Sequence, residues 1–597
     1  MSIGKLREFL TAPVGKSNST TRALRIFAPG VFWWFFLSLL FAALCGILGL
    51  KKAFHSEYVV QDDARQHVFW MARFMDPDLF PHDLIADYFQ SAAPQGYTAL
   101  YRMLAEIGLD PFLSNKLLPL VLGLIVTAYC FGLTLQILPV PLAGFIATLL
   151  LNENLWMKDD LASATPRAFV YPLFLAFLYY LSRRSLVPTL VAIALQGLFY
   201  PQIVLVSAGI LILRLLRWEK GRIRFSPDRS DYLFCLIGFG VALLVLSPFA
   251  LKSSGFGPTI TAGQARTLPE FGPSGRASFF CNRPWIYWVT GMRSGLLPQP
   301  EALFNPKVLL VALLLPLLLR FPSRSGLAEQ VTARIELLPQ ILLASVGMFF
   351  AAHALLFRLH LPSRYTQYTF RIVMTLAAGV ALVLILDTVL EWAGRTPNLL
   401  RRLVASGSAA LLAALLVWSP LSAQSIATNL RYRTGRHSGL YEFFSRQPKV
   451  ILIASLTEQV NQLPTFSQRS ILVGSEYAIP YQIGYYRQFR QRTADLVRAQ
   501  YSPDLASVQG FIRKYGVSFW LLERTSFTPE YVSRNIWIRH QPEANEAVHR
   551  LKKGEIPALA AFRDRCFVYE DERFVVLDAK CILGVEKIHR RPVRGPS

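Results

Sequence analysis

Apolar stretches long enough to cross a bilayer recur along most of this chain, and no other feature constrains its fold so tightly. Of its 597 residues, 53% are hydrophobic and 17% charged, with a mean hydropathy of +0.35. No soluble core needs that much apolar surface. The pattern predicts a polytopic α-helical membrane bundle of about eleven spans, near residues 30–50, 117–137, 139–156, 168–182, 186–200, 201–217, 231–251, 306–320, 336–358, 366–390 and 399–419. Several are short, so pairs within 168–217 can merge or include re-entrant pieces. Val31 to Leu50 is too long and too late for a cleaved signal peptide and reads as a retained anchor.

A formal net charge of +24 would point to nucleic acid in a soluble chain. Here the excess collects in short connections between spans, where it sets orientation, and no nucleic-acid partner is expected. Lys5, Arg7, Lys16, Arg22 and Arg25 precede the first span, and Arg183 and Arg184 follow the fourth. Arg214, Arg217, Lys220, Arg222, Arg224 and Arg229 follow the sixth. Arg320, Arg324 and Arg334 follow the eighth, and Arg395, Arg401 and Arg402 the tenth. A cytoplasmic N-terminus places every group inside. The chain then divides into a basic cytoplasmic N-terminus (1–29), a membrane module (30–420) with external loops 51–116, 152–167 and 252–305, and an external tail (421–597). The expected setting is a cell membrane, of the bacterial inner-membrane kind, with any chemistry on its outer face.

The tail carries strand-like runs at Val450–Ile453, Ile471–Gly474, Val517–Trp520 and Phe574–Leu577. Between them, Ser502-Pro503-Asp504 opens an amphipathic helix that Gly516 ends. Strands alternating with helix predict an extracytoplasmic α/β domain. Cys45, Cys130 and Cys235 lie in spans, where a free thiol behaves as a small hydrophobe. Cys566 and Cys581 flank a hairpin-like stretch and can bridge, although its register does not place them opposite each other, which weighs against a disulfide.

Adjacent carboxylates, Asp62 and Asp63, follow the first span. The stretch from Ala64 to Met75 reads as an amphipathic interfacial helix, so one Asp can be its N-cap. A cap needs only one carboxylate. Two together repel, which suits base catalysis or a bound cation. Asp76, Asp78, Asp83 and Asp87 in the same loop read as structural. A second acidic pair, Asp159 and Asp160, returns to the same face beside Lys158, and oxygen ligands from both loops could hold Mg²⁺ or Mn²⁺. Thr165-Pro166-Arg167 resembles a cap, a first-turn proline and a cation at the outer start of a span.

The basic counterpart is Leu361-Pro362-Ser363-Arg364-Tyr365, continuing to Arg371. Ser363 can cap a helix whose positive end faces outward, with Arg364 and Arg371 two turns apart on one side, roughly 10 Å. An intramembrane arginine is a functional candidate, and a phosphate near the outer leaflet would satisfy both guanidiniums. Snorkelling and ordinary pairing are the structural alternative. Residues 252–305 combine glycines, Arg266, Arg276, Arg283 and Arg293 with Trp285, Tyr287 and Trp288, which suit either a mobile sugar-stacking loop or an interface belt.

The whole layout resembles the GT-C superfamily of integral-membrane glycosyltransferases. The resemblance rests on the long first external loop with its early acids, the Asp62-Asp63 and Asp159-Asp160 pairs, the Pro362-Ser363-Arg364-Tyr365 stretch and the soluble domain after the last span. It implies that Asp62 or Asp63 acts as general base or metal ligand, that Asp159 and Asp160 stand where metal-dependent members place ligands, and that Arg364 and Arg371, with Tyr365 and Arg167, hold the phosphate of a polyprenyl-phosphate sugar. Lys158-Asp159-Asp160-Leu161 departs from a DxD spacing. The implied reaction inverts the anomeric centre and delivers the sugar to a glycan, lipid or protein acceptor. Two rivals predict otherwise. A transporter predicts repeated halves and mid-membrane charge, of which only Arg371 and Asp387 are present. A non-catalytic scaffold with an external binding domain predicts that the acids merely cap.

Overall fold

The computed structural model describes residues 3–14, 29–219, 222–251, 255–273, 275–321, 326–395, 399–421 and 429–584. Lys16, Arg22, Arg25, Lys220 and Arg324 of the charge pattern lie outside them. Helical structure occupies each segment where a span is expected, from Pro29–Ala53 to Leu399–Leu421. Among the described residues, five helices are long and apolar enough to cross a membrane by length and composition: Gly30–Ala53, Pro111–Ile137, Arg229–Phe249, Ala333–Ala354 and Pro362–Gly394. Two shorter apolar helices, Leu186–Phe199 and Pro201–Arg214, adjoin at Tyr200, because Pro201 cannot continue the first.

Local chemistry sets the helix starts. Asp110 accepts from the backbone N–H of Phe112 and Leu113 at 2.8 and 3.0 Å, with Pro111 in the first turn. Asp83 caps Leu84–Ala92 in the same way. Asp63 does not. It precedes Ala64–His67 with no side-chain capping bond, and that single turn gives way to a 3₁₀ segment, Phe69–Phe74. The expected interfacial helix is therefore broken, and Phe69, Trp70, Met71 and Ala72 are buried within the protein. Aromatic neighbours explain the burial, with Phe69 packed edge-on against Phe80, Phe89 and Tyr477.

The helix Gln367–Gly394 is central to the bundle and almost wholly buried. Ala143 and Ala147 of Pro141–Trp156 approach it at Gly379, where an added Cβ would lie 2.8 Å from Ala147 Cβ. At its far end Asp387 receives Arg7 of the helix Ile3–Thr11 at 2.7 Å and the Thr11 hydroxyl at 2.7 Å.

Beyond the bundle, five strands form one mixed sheet, ordered Ser470–Ile471, Leu452–Ala454, Phe519–Glu523, Phe574–Asp578, Phe567–Glu570. The first three run parallel and the last two antiparallel. Leu505–Tyr515 packs beside it, capped by Asp504 and ended by Gly516 at φ 68°. Cys566 and Cys581 are bridged, with Cα atoms 5.5 Å apart, contrary to the sequence expectation. The hairpin register does not decide this, because Cys566 ends the helix Ala558–Cys566 and Cys581 lies in the helix Ala579–Gly584. The first loop is tied to this part of the chain. Val59–Gln61 pairs antiparallel with Tyr432–Thr434, and residues 256–260 hydrogen-bond to 481–485.

Candidate functional site

Three carboxylates and a group of cations, drawn from three distant segments, meet at one end of the bundle. Arg167 is their hub. Its Nη2 lies 2.6 Å from Asp63 Oδ2 and 2.9 Å from Asp159 Oδ2, and its Nη1 lies 3.4 Å from Asp160 Oδ1. The 3₁₀ turn Pro166–Phe169, opening the helix Val170–Ser182, aims it there. The short helix Asp159–Ala162 presents both acids. Asp160 is fully buried and meets Arg371 Nη1 at 2.9 Å and Lys158 Nζ at 3.4 Å. Tyr171 donates its hydroxyl proton to Asp160 at 3.4 Å and accepts from Arg371 at 3.3 Å.

Electrostatics follow from crowding. Burial alone raises the Asp160 carboxyl, but Lys158, Arg167, Arg371 and Arg364 outweigh it, so the group is held below the ordinary carboxylate range. Burial pushes the Lys158 ammonium down to about 7, against the opposing pull of Asp160.

Asp62 and Asp63 have separate fates. Asp62 is clamped between Arg65 and Arg433, the latter at 2.9 Å. These two arginines override the upward push of burial and hold Asp62 below its ordinary value. Arg65 also meets Glu476 at 3.0 Å, and Glu476 meets Arg276 at 2.6 Å. Asp63 touches only Arg167 among the described cations, and its side chain is about one-third exposed (32%).

Arg364 is not in the helix of Arg371. Pro362–Tyr365 is a 3₁₀ turn and the α-helix starts at Gln367, so the expected two-turn spacing on one helix does not hold. Ser363 does not cap that helix; its hydroxyl donates to Met292 O at 2.9 Å and its N–H to Arg293 O at 3.2 Å. Residues 292–293 thereby brace the turn. Among the described residues the Arg364 guanidinium makes no hydrogen bond and no ion pair, although it lies close enough to Asp160 and Arg167 to act on both. Tyr200 and Tyr368 stand beside it, and Tyr368 packs edge-on against Tyr171. Tyr365 is buried and donates its hydroxyl to Leu359 O at 2.7 Å.

Arg167 occupies the space between Asp63, Asp159 and Asp160, where a shared cation would sit. Among the described residues no group of three or more His, Cys, Asp or Glu side chains is arranged to hold a metal ion. A divalent ion between Asp159 and Asp160 would have to displace Arg167, so the donor set as arranged does not fit one.

Sequence reasoning located Asp63, Arg167, Asp159, Asp160, Arg364 and Arg371, and the structure brings all six together. It missed Arg433 and Glu476, which arrive from more than 370 residues away and carry no local signal. Arg65 was visible three residues after Asp62, a helical spacing that could have exposed the clamp.

No protein-family profile matches the chain, and no curated protein matches it in sequence. Solved structures do match. The archaeal oligosaccharyltransferase AglB from Archaeoglobus fulgidus, in complex with an inhibitory peptide and a dolichol-phosphate, aligns at 10% identity over 86% of this chain and 72% of its own, with a TM-score of 0.54. An Archaeoglobus fulgidus oligosaccharyltransferase tethered with an acceptor peptide gives 11% identity, 87% and 72% coverage and a TM-score of 0.50. ArnT from Cupriavidus metallidurans bound to undecaprenyl phosphate gives 13% identity, 92% and 99% coverage and a TM-score of 0.46. The chain shares its fold with these oligosaccharyltransferase structures.

Proposed function

We propose that the chain is a membrane glycosyltransferase that moves a sugar from a polyprenyl-phosphate donor to an acceptor on the outer face of a bacterial inner membrane. The single observation that carries this reading is Arg364, a guanidinium with no hydrogen bond or ion pair among the described residues, beside the Asp63–Arg167–Asp160–Arg371 cluster. An unpartnered cation wedged among tyrosines wants an anion, and a lipid phosphate is the anion a membrane end supplies. The AglB complex contains a dolichol-phosphate, which agrees with that choice of donor.

Asp63 is the proposed base. Asp62 is held by two arginines, whereas Asp63 is partly open and contacts one. Asp63 takes the proton of the acceptor nucleophile as that atom bonds to the anomeric carbon. The carbon–oxygen bond to phosphate breaks on the opposite face, so the centre inverts, and the electron pair leaves with the phosphate. Arg364, with Arg167 and Arg371 behind it, stabilises the charge developing there. Arg167, and not Mg²⁺ or Mn²⁺, is the cation this reading sets among the acids.

The test is sugar transfer in membrane vesicles. Asp63→Asn is expected to lower the rate by roughly 10²–10⁴-fold, the usual share of a general base, with thermal stability unchanged. Asp62→Asn loses a structural clamp and keeps measurable transfer. Arg364→Ala raises the donor KM by roughly 10- to 100-fold, in line with a lost charged hydrogen bond. Unchanged transfer in Asp63→Asn, or unchanged donor affinity in Arg364→Ala, refutes the assignment.

The transporter alternative loses its two charges. Arg371 pairs with Asp160 at one end of its helix and Asp387 with Arg7 at the other, about 24 Å along the axis.

A further inference from the structure

A large cavity lies apart from this cluster. It measures about 840 Å³ and lies between residues 269–276 of the third loop segment and the C-terminal sheet region. We propose that it binds an uncharged oligosaccharide, and that this glycan is the acceptor; in that last role it rests on the transfer reading above.

Four arguments support this ligand class. The volume falls within the range of small-molecule sites, and a di- or trisaccharide fits it. The wall carries four glutamates and four arginines, so it offers no net charge to select an anion or a cation but many oriented donors and acceptors. Trp537 and Tyr531 supply ring faces of the kind on which sugar C–H groups pack. Gln541 lines the same wall, 91% buried given its 9% exposure, and its Oε1 has no hydrogen-bond partner among the described residues. A buried amide oxygen left bare costs free energy unless a ligand donates to it. Arg490 and Arg534, on the same wall, make no hydrogen bond or ion pair among the described residues and stand ready to donate. A hydroxyl both donates and accepts, so a polyol satisfies Gln541 and the arginines at once. A fully ionised phosphate or carboxylate group has no proton to donate to Gln541.

The cavity is also wired to the acids. Arg276 lies on its rim and holds Glu476 at 2.6 Å; Glu476 holds Arg65 at 3.0 Å, and Arg65 holds Asp62, the neighbour of Asp63. A glycan seated in the cavity with its chain end crossing Arg276 is directed towards Asp63.

The experiment uses the full chain in nanodiscs, titrated by calorimetry with maltotriose, mannotriose and chitotriose, and with a sialylated trisaccharide as the anionic counterpart. At least one uncharged trisaccharide is expected to bind. Trp537→Ala is expected to weaken it about tenfold, Trp537→Phe to restore most of it, and Arg534→Ala, at an exposed position, to weaken it severalfold. Asp63→Asn leaves binding intact while lowering transfer roughly 10²–10⁴-fold. The proposal is overturned if no uncharged trisaccharide binds, if only the sialylated one does, or if Trp537→Ala and Arg534→Ala both bind as the parent does. Binding that survives while Asp63→Asn transfers sugar at the parental rate refutes the transfer assignment and leaves the glycan site standing.

Discussion

Lys158 shows how a single side chain can tune the cluster. With its ammonium pushed down to about 7 by burial, it is charged below that pH and neutral above it. Below it, Lys158, Arg167, Arg364, Arg371 and Arg431, the last 3.9 Å from Asp159, outnumber Asp63, Asp159 and Asp160 by two charges; above it, by one. Donor capture is therefore expected to weaken as pH rises through 7, and Lys158→Met is expected to flatten that profile; a variant that keeps the inflection refutes the role. The folding linkage has the opposite sense. A base whose pKa is lowered on folding binds more protons when unfolded, so its cost to stability is largest below pH 7 and fades as pH rises towards the ordinary lysine value. Asp62 and Asp63 illustrate what residue-level reading can reach. The pair after a span was legible as chemistry, but which member is the more open was not, because the answer lies with Arg433, 371 residues on from Asp62.

At the scale of elements, one helix joins the site to the bundle. Gln367–Gly394 carries Arg371 near its start and rests at Gly379 against Pro141–Trp156, whose end leads into Asp159 and Asp160. A methyl group at 379 would meet Ala147 Cβ at 2.8 Å and Ala143 O at 3.0 Å, and backbone atoms cannot yield cheaply. Gly379→Ala is expected to lower stability by roughly 1–3 kcal/mol and to reduce donor binding by shifting Arg371 away from Asp160. Thermal unfolding and donor titration check both; parental values in each would show that the contact is slack. Helix positions were legible from apolar runs. The break at Thr366, which removes Arg364 from the helix of Arg371, was not, because residues 292–293 hold the turn through Ser363.

Across the whole molecule, the first loop and the C-terminal region fold as partners. The ladder of Val59–Gln61 with Tyr432–Thr434 ends beside the Asp62–Arg433 pair, which positions Asp63. Asp62 is held below its ordinary value, so its contribution is fully present above about pH 4 and is lost as pH falls through the lowered value. Arg433 is about half exposed, so Arg433→Ala is expected to cost only roughly 0.2–1 kcal/mol. It is expected to speed amide exchange at residues 59–67 and to reduce that acid sensitivity. Unchanged exchange would mean that the ladder alone carries the junction.

The sequence by itself determined that helices fill the apolar runs, that acids gather after the first span and around residue 160, and that arginines gather near 364. These are local or periodic signals, set by hydropathy and by residue type at short spacing. Only the tertiary structure decided that Arg167 stands among the three carboxylates, that Arg364 has no partner among the described residues, and that Asp62 rather than Asp63 is clamped. Each depends on charges brought together from distant segments, whose pairing follows from how the helices and loops pack and leaves no trace in sequence spacing.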